Sequence, residues 1–113
     1  RPVSHEPAIG PLRISEHDPK PNWLISGGES GHGARPMLVQ WARDIISDCH
    51  KHVIAPFFKQ WGAYSNNPLV QEQGLTVALA REQDPYGKGG GMIDGTLIRE
   101  FPVPKQLFER MSA

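Results

Sequence analysis

The sequence predicts an α/β protein built on a parallel β-α-β unit, and three observations carry that reading. Trp23-Leu24-Ile25-Ser26 is a short apolar run halted by Gly27-Gly28. From Pro36 onward, apolar residues recur at Leu38, Trp41, Ala42, Ile45, Ile46 and Cys49, offsets of three and four that draw one continuous stripe along a helix. Val53 to Phe58 is a second apolar run. A buried strand, a helix of about 15 residues and another buried strand make the crossover that joins parallel strands, almost always right-handed.

Each element has its own signals. Gln40, Arg43, Asp44, Ser47, Asp48 and Lys51 lie away from the helical stripe. Pro36 suits the first helical turn, where its missing N–H costs nothing. His50, Lys51 and His52 fall in the last turn, where positive charge is favoured. Pro56 is awkward inside a central strand, so the second strand is expected to start at or after it. Val3-Ser4-His5 is a candidate third strand, ended by Pro7. Ala8 to Asn22, with Pro11, Pro19 and Pro21, reads as a connector with a brief extended piece at Leu12-Arg13-Ile14.

Beyond Trp61-Gly62 the periodicity weakens. Asn66-Asn67-Pro68 reads as a turn, Leu75 to Leu79 as a short strand or one helical turn, and Lys88 to Gly91 as a flexible linker. Met92 to Leu97 carries an Asp-Gly hairpin signal. Pro104 to Met111 is a candidate terminal helix with Leu107, Phe108 and Met111 on its apolar face. Residues 1–64 are thus expected to form the parallel segment, and residues 65–113 a loop-rich extension packed on it.

Composition narrows the function classes. The chain has 113 residues, with 12 glycines and 11 prolines, so much of it should be loop around a modest core. Twelve basic and 12 acidic residues give zero formal net charge. No Lys/Arg cluster marks a phosphate-tracking surface, and charge gives nucleic acid no support. The single cysteine, Cys49, permits no internal disulfide and no cysteine-based metal cluster. It lies on the apolar stripe and reads as inert core. No metal site is expected; His50 and His52, two apart, do not share a helix face. No apolar run reaches the roughly 18 residues of a membrane span and no signal peptide is evident, so a cytoplasmic location is expected. The first residue is Arg1 rather than Met, which suggests processing, tag cleavage or a longer parent.

In open parallel sheets, ligands bind beyond the carboxyl ends of the strands. That rule puts His5-Glu6, Gly27 to Arg35 and Lys59-Gln60-Trp61 on one rim, with Glu6, Glu29, Arg35 and Lys59 facing a common space. The loop Gly27 to Gly33 has four glycines in seven positions. Glycine allows close backbone approach, and a helix N-terminus following the loop would favour an anion. The loop is neither a Walker loop nor a dinucleotide fingerprint. A tight connection that needs glycine is the competing reading. His32 reads as a solvated loop residue and Trp41 as core; Trp61, at a strand's end, is the more open case.

Glu6-Pro7-Ala8-Ile9-Gly10-Pro11, Trp23 to Gly31, Ala34-Arg35-Pro36-Met37 and Pro56 to Gly62 resemble, in order and spacing, the C-terminal half of a phage and prophage protein family of unknown function related to radical S-adenosylmethionine enzymes. Gly91 to Gly95 and Glu100-Phe101-Pro102 resemble that family's final segment. The resemblance implies a partial parallel β/α barrel, of which this chain supplies the last strands. It implies Glu6, Gly27, Gly28, Glu29, Ser30, Arg35, Lys59, Gln60 and Trp61 as lining of the barrel mouth. The family's three-cysteine cluster motif has no counterpart here, and His5 stands where a cysteine often precedes the Glu-Pro pair. An iron–sulfur cluster and S-adenosylmethionine are therefore expected only in a longer parent protein.

Three functions follow from this reading. The first is the C-terminal segment of a radical-SAM-like barrel, shaping a ligand mouth without being catalytic alone. The second is a non-catalytic module that self-associates or binds a partner, because three parallel strands leave open edges. The third is a small anion- or nucleotide-binding domain. The expected partners are a second copy or a missing N-terminal half, and a small anionic ligand.

Overall fold

The computed structural model describes residues 2–5 and 22–102. Three short strands, β1 (Pro2–His5), β2 (Trp23–Ser26) and β3 (Ala55–Phe58), form one parallel sheet in the order β1-β2-β3. The register aligns His5 with Ser26 and Ser26 with Phe58, so the strands end level. Helix α1 (Val39–Lys51) makes the crossover from β2 to β3. The candidate third strand is therefore β1. Glu6, the connector to Pro21 and the terminal segment from Pro104 lie outside the described residues.

Alternation sorts the sheet's two faces. Leu24, Ser26, Pro56 and Phe58 are buried, while Trp23, Ile25, Ala55 and Phe57 are half-buried. Helix α1 covers the first set. Leu24, Ile45, Cys49 and Ile54 form one buried cluster. Met37, Val39, Ala42, Phe58, Trp61 and Ile93 form another, with Trp41 and Ile46 packed against it. The opposite face carries a group of aromatic rings, in which Trp23 and Phe57 lie 6.1 Å apart and Phe101 lies 5.6 and 5.7 Å from them.

Three expectations for this unit need correction. The helix begins at Val39, with Leu38 as its extended cap residue, so Pro36 precedes the first turn. Val53 is not in the strand: it has a left-handed φ of 56° and is 82% exposed. It serves as the stop residue after α1, where Ile54 N donates to Cys49 O at 2.8 Å, a role that glycine usually fills. Strand β3 starts at Ala55 and contains Pro56. Ala55 N and Lys59 N donate to the β2 side, whereas Phe58 N donates to Ile98 O and Glu100 N to Pro56 O on the other. The N–H that proline lacks would have pointed away from β2, so the parallel ladder loses nothing.

After β3 the chain makes a 3-10 turn (Tyr64–Asn66), two short helices, α2 (Pro68–Gln71) and α3 (Val77–Gln83), and an antiparallel pair, β4 (Met92–Ile93) and β5 (Thr96–Leu97). Asp94 and Gly95 turn the hairpin with φ of 50° and 79°, the primed turn that an Asp-Gly pair favours. Asn67 caps α2 by accepting from Leu69 N, and Thr76 caps α3 by accepting from Leu79 N. The Asn-Asn-Pro turn thus starts a helix, and the segment around Leu79 is helical.

The Lys88 to Gly91 stretch is no loose linker. Gly89, Gly90 and Gly91 are buried, and a Cβ on Gly90 would sit 2.4 Å from Asn67 Nδ2 and 2.5 Å from Asp84 Oδ2. Asp84, 1% exposed, accepts from Asn67 Nδ2, Gly91 N and Met92 N, each at 2.9 Å. A buried carboxylate needs such partners, and these bind the glycine turn to α2.

Candidate ligand-binding cleft

The loops that leave β2 and β3 stay paired past the strand ends. Lys59 N donates to Ser26 O at 2.8 Å, and Gly28 N to Gln60 O at 2.9 Å. A Cβ on Gly28 would lie 2.1 Å from Trp61 O, and one on Gly62 would lie 1.8 Å from Glu29 O. Only glycine permits such backbone contact. A third segment joins them, because Trp61 N donates to Gly90 O and Gly62 N to Lys88 O, both at 2.8 Å.

This arrangement divides the glycine-rich loop. Gly27 and Gly28 are packing positions against Lys59 to Trp61. Gly31 and Gly33 have φ of 90° and 79° with no atom within 4 Å of an added Cβ, so they form an open turn. Ser30 and His32 are exposed there. Glu29 and Arg35, both expected at the rim, form an ion pair with each other.

At the start of α1, two backbone N–H groups are engaged by side chains of the chain itself. Met37 N donates to Asn66 Oδ1 at 3.0 Å, and Val39 N to Gln71 Oε1 at 3.2 Å. Gln71 Nε2 also donates to Met37 O at 3.2 Å, so one amide side chain clamps the helix entrance from both sides. Trp61 does not face the rim. It is fully buried, its ring 4.6 Å from that of Phe58, and its Nε1 donates to Met92 O at 2.9 Å.

Lys59 and Gln60 do come together at an opening. A cleft of about 540 Å³ lies at the carboxyl ends of β2 and β3, on the face away from α1, lined by Ile25, Phe57, Lys59, Gln60, Gly87 and Arg99. It is open to solvent rather than enclosed. Arg99 Nη2 donates to Lys59 O at 3.1 Å, and the guanidinium lies over the Phe57 ring, 5.8 Å from its centroid. Gln60 Oε1 accepts from Lys88 N at 3.3 Å. Among the described residues, the charged side chains of the lining are Lys59 and Arg99. Sequence reasoning missed Arg99, which reaches the cleft through a single antiparallel bridge between Phe57 and Arg99 that no local pattern announces. It also missed Ile25 and Phe57 as lining, although strand alternation puts them on one face.

A wider groove of about 740 Å³ lies between α1 and the β4–β5 hairpin. Arg43 in its lining contacts Glu72 through two bonds of 2.6 and 2.7 Å and Asp94 through two of 2.7 and 3.1 Å. These bonds raise the Arg43 pKa and lower those of Glu72 and Asp94. His50 pairs with Glu100 at 2.8 Å. Among the described residues, no group of three or more His, Cys, Asp or Glu side chains is placed to hold a metal, and no helix is long and apolar enough to cross a membrane.

A family profile described as protein of unknown function (DUF5131) matches residues 1–102. Neither a curated protein nor a solved structure matches the chain.

Proposed function

Because the chain belongs to the DUF5131 family of proteins of unknown function, we propose its function from the geometry: it supplies three strands of a parallel β/α barrel and one wall of an anion-binding mouth. The observation that carries this reading is the cleft at the carboxyl ends of β2 and β3, with Lys59 and Arg99 on its rim. Strand ends are where parallel sheets place ligands. Helix α1 covers one sheet face and the cleft lies on the other, the arrangement of an outer helix in a barrel. Lys59 would hold an anion as a point charge and Arg99 as a planar fork.

The proposed kinship with radical S-adenosylmethionine enzymes rests on the ordered motifs alone. A cluster would need thiolates from beyond this chain. Cys49, its single cysteine, is fully buried and its thiol is pushed up to about 12, first by desolvation and then by Asp48 and Glu100. No step through a cluster is assigned to these residues.

Calorimetric titration with pyrophosphate and citrate tests the mouth. Lys59→Ala and Arg99→Ala should each weaken binding about tenfold or more, the scale of a charge-assisted hydrogen bond, while Arg35→Ala should leave it unchanged. Equal affinity in all four proteins would remove the reading. A second reading, self-association through the face away from α1, is favoured by Phe101, which is 65% exposed beside Trp23 and Phe57. Light scattering should then show a dimer that Phe101→Ser weakens, and a monomer at high concentration would contradict it.

A further inference from the structure

We propose that the peptide joining Asp94 to Gly95 is a site of spontaneous succinimide formation and conversion to isoaspartate, and that Arg43 governs its rate by holding the Asp94 carboxylate. Asp94-Gly95 is the sole Asp-Gly pair in the sequence, and no Asn-Gly pair occurs. Such pairs are reactive because glycine has no Cβ to keep its nitrogen from the neighbouring side-chain carbonyl. Here the pair forms the two-residue turn between β4 and β5, with Asp94 in the left-handed region at φ 50° and Gly95 at φ 79°. The Asp94 side chain is 62% exposed and Gly95 is exposed beside it, so water reaches the bond.

The reaction needs no co-reactant other than water. The Gly95 nitrogen attacks Cγ of Asp94 and gives up its hydrogen. One carboxyl oxygen leaves as water, carrying that hydrogen and a proton, and a five-membered imide ring remains. A water then opens the ring. Attack at Cγ restores aspartate, and attack at the main-chain carbonyl leaves the backbone running through Cβ as an isoaspartyl link. Arg43 opposes the first step. Its Nε donates to Asp94 Oδ2 at 3.1 Å and its Nη2 to Oδ1 at 2.7 Å, so one planar fork holds both oxygens. The carboxyl must leave that fork to turn onto Gly95 N and to gain the proton its departing oxygen needs. The same hydrogen bonds hold the carboxyl below its ordinary range. Glu72 accepts from the same guanidinium and helps to fix it. An isoaspartyl link would lengthen a turn that aligns Ile93 with Thr96, and Ile93 belongs to the buried core. Arg43 therefore guards the pairing that anchors the hairpin.

Oxygen-18 uptake reads the ring directly, because each opening places one solvent oxygen on the residue. The full chain is aged in oxygen-18 water at neutral pH, folded and in urea, and the peptide carrying Asp94 is followed by mass spectrometry. Arg43→Gln should take up label about threefold faster than wild type, the scale of an exposed ion pair, and the chain in urea faster still. Glu72→Gln removes the other partner of Arg43 and leaves the bonds to Asp94, so its rate should not exceed that of wild type. Equal rates in wild type and Arg43→Gln would overturn the proposal, as would a folded wild type as fast as the chain in urea, or label gathered at other aspartates. A Glu72→Gln rate matching Arg43→Gln would also overturn it, because the placement of the hairpin rather than the hold on Asp94 would then set the rate.

Discussion

Single residues decide how closely the two rim loops approach. Gly62 and Gly28 sit where backbone meets backbone, and a methyl at either would have to displace a peptide unit. Gly31 meets nothing, so a methyl there costs only its positive φ. Gly62→Ala should therefore lower stability by more than about 2 kcal/mol, and Gly31→Ala by about 1 kcal/mol or less, measured by urea denaturation. Equal losses would show that the loops are not zipped together as described. The composition of the loop could not make this distinction, because a packing glycine and a turn glycine look alike in sequence. The same limit applied to Trp61, whose ring belongs to the core and whose position at a strand's end suggested the rim.

At the scale of elements, the β-α-β unit was legible because burial writes itself into periodicity. The stripe from Leu38 to Cys49 and the apolar run of β2 each had one face to bury. The boundaries were less legible. Val53 is apolar and follows a helix, and only its left-handed φ of 56° reveals a stop residue. Pro56 looked like a strand breaker because the direction of its missing N–H depends on which neighbour the strand pairs with. The glycine turn at Lys88 to Gly91 looked like a linker because its partner Asp84 lies outside any recognisable motif.

The Arg43 clasp, another element-scale feature, joins α1 to Glu72 after α2 and to Asp94 in the hairpin turn. Hydrogen bonds from Arg43 hold both carboxylates below their ordinary pKa values. A lowered folded pKa means that the unfolded chain binds more protons in acid. The clasp's contribution is thus present above the ordinary carboxylate range and is lost as pH falls through the lowered folded values. Both carboxylates are solvent-exposed, so the effect is small and salt-sensitive. Thermal midpoints recorded across that range should fall less steeply on acidification for Arg43→Gln than for wild type. Parallel curves would show that the clasp does not contribute.

For the whole molecule, the C-terminal half is part of the same packed body as the sheet. Ile93 enters the core cluster, Ile98 packs against it, and Asn66 and Gln71 hold the entrance of α1. Cys49, 0% exposed at the sheet-facing side of α1, reports on that body. Its thiol should resist a disulfide reagent at pH 8 in the native protein and react fully above the urea midpoint. Rapid native labelling would mean that α1 opens independently of the rest. The cleft's lining was legible in part: the strand-end rule put Lys59 and Gln60 at this rim, but Arg99 arrives from 40 residues downstream by tertiary pairing alone.

The proposed mouth puts ligand recognition at the cleft of Lys59 and Arg99 rather than at the glycine loop or the start of α1. Amide chemical-shift mapping during titration with pyrophosphate separates these most directly. Shifts should concentrate at Ile25, Lys59, Gln60, Gly87 and Arg99. Shifts confined to Ser30 through Val39 would contradict it.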